Sequence, residues 1–162
     1  MKIHVLEDEQ VLPVPPEEAW AFFSDVRNLD EITPDDMGFK TEYSSGDGPV
    51  HPGQIIVHRV KVAPLVWLRW VTEIKVVDPG RAFVDEQRAG PYRFWHHRHS
   101  FEATEGGTLM KDLVHYAMPL GPLGAIPHAL FVRKKLESIF RFRREMLERR
   151  FGGHEAAGEP GS

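Results

Sequence analysis

The chain has 162 residues, with 20 Lys plus Arg against 24 Asp plus Glu and a net charge of −4; that is the size of one domain able to bury about 70% of its unfolded surface in a single core. The mildly acidic balance gives no pull toward nucleic acid or anionic lipid, the absence of cysteine removes any disulfide framework, and no apolar run reaches membrane-spanning length. With no apolar h-region in MKIHVLEDEQVLPVPP, the expectation is a cytoplasmic protein with neither a nucleic-acid nor a membrane partner, and with a homodimer left open.

In chain order, IHVLEDEQVLPV combines short runs of β-type residues with a stop at Pro13, Pro15 and Pro16, which predicts a strand and a turn. PPEEAWAFFSDVRNL then changes period. Pro16 suits a first helical position, Glu17 and Glu18 complement a helix N-terminus, and Ala19, Trp20, Phe22, Phe23 and Val26 recur at helical spacing. Two short helices are predicted, with a break across residues 28–34. From residue 39 to residue 120, β-branched and aromatic runs alternate with GDGPVHPG, DPGR, AGPY and EGG, which predicts an antiparallel meander of six strands. LFVRKKLESIFRFRREMLERRF sets Val132, Leu136, Ile139, Phe140, Arg143, Met146 and Leu147 along one face of a long helix. Its other face is basic and is expected to be solvated. GGHEAAGEPGS is Gly-rich and polar, so the chain reads as one domain over residues 1–151 with a flexible tail over residues 152–162.

These elements make an α+β architecture: a curved antiparallel seven-stranded sheet wrapped around the C-terminal helix, with two short helices after the first strand. A single helix covers one face of such a sheet and leaves a cavity beneath it. FVDEQRAGPYRFWHHRHSF, GGTLMKDLVHYAMPLGPLG and IFRFR resemble the START-like helix-grip superfamily, also called SRPBCC or the polyketide cyclase/dehydrase-like group. Within it, the chain is similar to small bacterial ligand-binding members with the pattern Phe-x-Asp-x-Gln-x-x-Gly-Pro-Tyr-x-x-Trp-x-His-x-His-x-Phe. The resemblance runs from about Val11 to Phe151 and implies a helix-grip fold with a ligand pocket, without naming a reaction.

Side chains alternate across a strand, so Trp95, His97, His99 and Phe101 share one face of RFWHHRHSF while Phe94, His96, Arg98 and Ser100 share the other. The face with Trp95 and Phe101 is expected inside. With Gly106-Gly107 as turn centre, Phe101 would lie opposite Asp112, His99 opposite Val114 and His97 opposite Tyr116, and Met110, Val114 and Met118 would line the same face. His99 and Asp112 would then be diagonal neighbours. The hairpin at Gly90-Pro91 allows either Glu86 or Phe83, Asp85 and Gln87 on that face, and the resemblance favours the second register. Arg143, on the apolar stripe of the long helix, would close the group from above.

Candidate ligand-binding residues are therefore Trp70, Asp85, Gln87, Trp95, His97, His99, Phe101, Met110, Asp112, Tyr116, Phe140 and Arg143, with Trp20 and Phe23 as further walls. Buried polar residues of this kind either satisfy one another or anchor a ligand. The expected function is binding of a small, largely apolar or amphipathic molecule with a polar or carbonyl-bearing end. The alternative is a polyketide cyclase/aromatase or dehydratase using cavity histidines as general acid/base, although no independent nucleophile or oxyanion motif marks a catalytic residue. A third reading is an interaction module using the basic helix face. No cofactor and no metal are expected, because His-x-His supplies two ligands while Asp85 or Asp112 would have to swing in and Arg143 stay out. His51, His58 and His115 are expected at the surface or on edge strands. DVRNLDEITPDDM and PLGPLGAIP either gate the cavity or serve as plain turns.

Overall fold

The computed structural model describes residues 1–33, 38–63, 65–119 and 125–152, and all of their side chains except those of residues 62–63 and 125–131. Residues 34–37 and 120–124, within the two segments considered as gates, and residues 153–162 of the expected tail lie outside the described residues. The elements are β1 (His4–Leu12), α1 (Pro16–Phe23), two 3₁₀ turns (Val26–Asn28, Asp30–Ile32), β2 (Lys40–Ser44), β3 (Ile55–Ala63), β4 (Val66–Asp78), β5 (Ala82–Ala89), β6 (Phe94–Thr104), β7 (Gly107–Ala117) and α2 (Ala125–Phe151). The seven strands form one antiparallel sheet in the order β1-β7-β6-β5-β4-β3-β2. β2 to β7 are a meander, and β1 crosses over to pair with β7. The fold is the helix-grip α+β arrangement expected from the sequence.

Local chemistry accounts for the boundaries. Pro15 caps α1 and Pro16 opens it, with Glu17 and Glu18 in the first turn, while Ala19 and Phe22 turn into the core. α2 starts at Ala125, ahead of the segment beginning at Leu130 over which the sequence predicts the helix. Pro127 sits in its first turn, where a missing N–H loses no helical partner.

The interior is layered. At one end Leu12, Phe22, Phe83, Phe101, Met110, Leu147 and Phe151 form an apolar cluster, and at the other Trp95, Val114, Tyr116, Leu136 and Phe140 form a second. Between them runs a polar belt, His97 and His99 from β6, Asp112 from β7 and Arg143 from α2, all four buried. The basic face of α2 is not merely solvated. Arg144 donates to Asp8 Oδ1 at 2.6 Å and to the Glu9 carbonyl at 2.7 Å, while Gln10 donates to the Arg144 carbonyl. Arg150 meets Glu31 at 2.7 Å. These contacts fasten the helix to β1 and to the second 3₁₀ turn.

The β6–β7 register differs from the expected one by two positions. Trp95 pairs with Tyr116, His97 with Val114, His99 with Asp112 and Phe101 with Met110. The turn is Glu105-Gly106, with Gly106 supplying a φ of 93°. Gly107 already belongs to β7, and a Cβ there would collide with the carbonyl oxygen of Leu12, so this glycine answers to the close approach of β1. A slip of two leaves every side chain on its expected face. It does make His99 the direct partner of Asp112 instead of its diagonal neighbour. Across the other hairpin Phe83 pairs with His99 and Asp85 with His97, while Glu86 pairs with His96 on the opposite face.

Candidate functional site

A cavity of about 190 Å³ lies between the concave sheet face and α2. α1 and the 3₁₀ turns contribute Phe22, Phe23, Val26, Leu29 and Ile32; the sheet contributes Ile56, Trp70, Ile74, Phe83 and Trp95; α2 contributes Leu136, Ile139 and Phe140. Among these apolar walls, His58, Thr72, Asp85, His97, His99 and Arg143 supply polar groups from the sheet and α2, and Asp25, Asn28 and Thr33 add others in and beside the 3₁₀ turns.

The polar floor is built so that each of two imidazoles stands between two carboxylates. His97 Nε2 bonds Asp112 Oδ1 at 2.9 Å, and its Nδ1 lies 3.6 Å from Asp85 Oδ2. His99 Nε2 bonds Asp85 Oδ2 at 3.0 Å. His99 Nδ1 lies 2.8 Å from Asp112 Oδ1, but off the line of a hydrogen bond, so that contact is electrostatic. The two rings lie 3.8 Å apart between centroids. Arg143 Nη1 reaches Asp112 Oδ1 at 3.3 Å from the helix side, and the guanidinium rests 5.1 Å from the Phe23 ring.

Burial by itself would discharge both imidazoles. For His99 the hydrogen bonds and charges of Asp112 and Asp85 outweigh that cost, and its pKa is raised. For His97, burial and then the charge of His99 prevail over Asp112 and Asp85, and its pKa is lowered. Burial also works to raise the carboxylates, yet Arg143 and the imidazoles hold Asp112 well below its ordinary range, and His99 and His97 lower Asp85. Two carboxylates, one guanidinium and one imidazolium sum to zero, so the balanced state has His99 charged and His97 neutral. In that state His97 Nε2 donates to Asp112 and Nδ1 is the unprotonated nitrogen. Two buried donors on cavity-lining residues, Trp70 Nε1 and Arg143 Nε, meet no acceptor among the described residues.

Of the residues singled out from the sequence, Phe23, Trp70, Asp85, Trp95, His97, His99, Phe140 and Arg143 line the cavity. The others do not. Asp112 and Met110 lie behind the lining, contacting Arg143, and Phe101 packs with Trp20, Phe23 and Phe83 in the apolar end. Tyr116 stacks on His4 and touches Tyr92 and Trp95. Gln87 staples its hairpin, donating to the Tyr92 carbonyl at 2.6 Å and accepting from the Tyr92 N–H at 3.2 Å.

His58 corrects an expectation: it is 3% exposed and lines the cavity. Its Nδ1 meets Thr41 Oγ1 at 3.1 Å, Thr41 Oγ1 donates to Asp30 at 2.9 Å, and Phe39 stacks on the ring. Since Thr41 spends its proton on Asp30, His58 Nδ1 donates and Nε2 is bare. Burial pushes the pKa of His58 down to about 4, against weaker pulls from Asp85 and Asp30. The alternation Ile56, His58, Val60 against Val57, Arg59, Lys61 in IIVHRVKV carries this placement.

The solved structures that resemble this fold include the di-domain ARO/CYC BexL from the BE-7585A biosynthetic pathway, with a TM-score of 0.69, 15% identity, and coverage of 96% of this chain and 51% of that one. TTHA0849 from Thermus thermophilus superposes with a TM-score of 0.64 at 17% identity, covering 89% of this chain and 97% of that one. Ara h 8.0201 gives a TM-score of 0.58 at 22% identity, covering 90% and 98%. No curated protein matches the chain. No helix among the described residues is long and apolar enough to cross a membrane. The model of one family, polyketide cyclase / dehydrase and lipid transport, matches residues 4–152, and with this fold around this cavity the chain belongs to that family.

Proposed function

We propose that the chain binds a small, largely apolar molecule with a carbonyl or similar acceptor at one end, held between the sheet and α2. The observation that carries this reading is a chamber of aromatic and aliphatic walls whose lining includes Trp70 and Arg143, each with a buried donor, Nε1 and Nε, that has no acceptor among the described residues. Unpaired buried donors are costly, and a ligand oxygen relieves that cost. A volume of about 190 Å³ exceeds the roughly 150 Å³ that admits benzene and falls short of the roughly 300 Å³ where drug-sized sites begin. One- and two-ring molecules fit best.

The test compares α-tetralone with tetralin, the same frame without the oxygen, by quenching of tryptophan fluorescence. Trp70→Phe keeps the aromatic wall and removes the donor. Tetralone affinity is expected to fall about five- to tenfold and tetralin affinity to stay constant. Equal effects on both ligands, or none, sink the reading.

A second reading, a cyclase, aromatase or dehydratase, draws on the unprotonated Nδ1 of His97, held by Asp112 in the manner of an oriented general base. An enolisable aromatic β-diketone would then be turned over, and His97→Gln would lose that rate while retaining binding. Bound diketone recovered unchanged by mass spectrometry favours the binding reading.

A further inference from the structure

We propose that Asp85, His97 and His99 form a binding site for a divalent first-row transition-metal cation, with Asp112 bonding His97 and placing its charge against His99 from behind. One donor atom from each of the three residues lies within 4.8 Å of the others. His99 Nε2 and His97 Nδ1 approach the same atom, Asp85 Oδ2, at 3.0 and 3.6 Å. Tetrahedral coordination at about 2.0–2.1 Å sets neighbouring donors about 3.3 Å apart, and the observed separations bracket that value. Two imidazoles and a carboxylate are a donor set suited to zinc, cobalt, nickel or ferrous iron, and a poor one for magnesium or calcium.

The outer layer of the cluster is the stronger argument. A ligating imidazole is ordinarily fixed by a carboxylate at its other nitrogen. Here His97 Nε2 bonds one oxygen of Asp112 at 2.9 Å, and His99 Nδ1 faces the same oxygen at 2.8 Å without hydrogen-bond alignment. The remaining oxygen, Asp112 Oδ2, is buried without a partner among the described residues. Arg143, the sequence-based objection to a metal, engages Asp112 at 3.3 Å and is not one of the three donors. With both histidines neutral, Asp85, Asp112 and Arg143 leave one negative charge. A divalent cation displaces the proton on His99 Nε2 to solvent and leaves one positive charge, which an anionic oxygen entering from the cavity would neutralise. The three residues also line the cavity, so the open side of the cation faces the space where such an oxygen arrives. The site needs no organic ligand to form, and its failure would leave the cavity-binding reading standing.

The experiment loads the full chain, first stripped with a chelator, with Zn²⁺ or Co²⁺ alone, and measures retained metal after desalting. One equivalent per chain is expected. X-ray absorption of the zinc form should show two imidazoles with light-atom ligands at about 2.0–2.1 Å. The double variant His97→Gln/His99→Gln should retain none, Asp112→Asn should bind about ten- to a hundredfold more weakly, and His96→Ala should match the unaltered protein. Absence of stoichiometric metal in the unaltered protein overturns the proposal, as does full retention in the double variant. Should that variant fail to fold, the imidazole count in the unaltered protein decides, and any number other than two overturns it.

Discussion

Two histidine–carboxylate pairs occupy opposite faces of β6 and share a distance. On the outer face His96 Nδ1 lies 3.0 Å from Glu86, with side-chain exposures of 35% and 30%. On the inner face His99 Nε2 lies 3.0 Å from Asp85, with exposures of 10% and 15%. The outer pair is partly exposed at the surface, where such contacts contribute about 0–1 kcal/mol. The inner pair belongs to a buried group of five ionisable side chains whose charges balance only together, so removal of one member strands the others. Length of contact says little about energetic weight; burial and the surrounding charge decide it.

The contrast is broken most forcefully from the inner side. Asp112→Ala removes the acceptor shared by His97 and Arg143 and the charge facing His99, and the expected cost is about 3 kcal/mol by urea unfolding. A loss under about 1 kcal/mol would mean that the belt relaxes and is not tightly coupled.

His58 tests burial without a partner carboxylate at hydrogen-bond distance. Its folded pKa of about 4 lies below the ordinary 6.5, so the fold favours the neutral ring. The resulting stability is complete above pH 6.5 and is lost as pH falls toward 4, by up to about 3 kcal/mol. His58→Gln should flatten the stability profile in that window. His97, with its lowered pKa, acts in the same sense, so part of the slope should remain. The raised pKa of His99 acts oppositely, its contribution fading as pH climbs above the ordinary value. An unchanged slope in the His58 variant would contradict its burial as a neutral ring.

A smaller effect is expected where α2 meets β1. Arg144→Ala loses bonds to Asp8 and to the Glu9 carbonyl from a side chain 38% exposed, and should cost about 1 kcal/mol. Thermal unfolding indistinguishable from the unaltered protein would show that apolar packing alone seats the helix. Smallest of all is His96→Ala, expected within about half a kcal/mol.

Much of this was legible in the sequence, for identifiable reasons. Prolines at 13, 15 and 16 fixed the end of β1 and the start of α1, and the inner face of β6 survived an error in register because alternation has a period of two. The partner of His99 was not legible, since Gly106 and Gly107 look equivalent in sequence while one serves a turn and the other a close backbone approach. Gln87 shares parity with Asp85, yet it lies beside a turn whose backbone it captures. His58 is hard to read from sequence because a lone histidine beside Arg59 resembles an edge position until the alternation of its neighbours is followed across the whole strand.

The inner face of β6 floors the cavity and the outer face does not. That assignment is tested most directly by the melting temperature and tetralone affinity of His97→Ala measured beside those of His96→Ala. His97→Ala should lower both while His96→Ala changes neither. The reverse pattern, with His96→Ala the more damaging on both counts, would contradict the assignment of faces and the cavity built upon it.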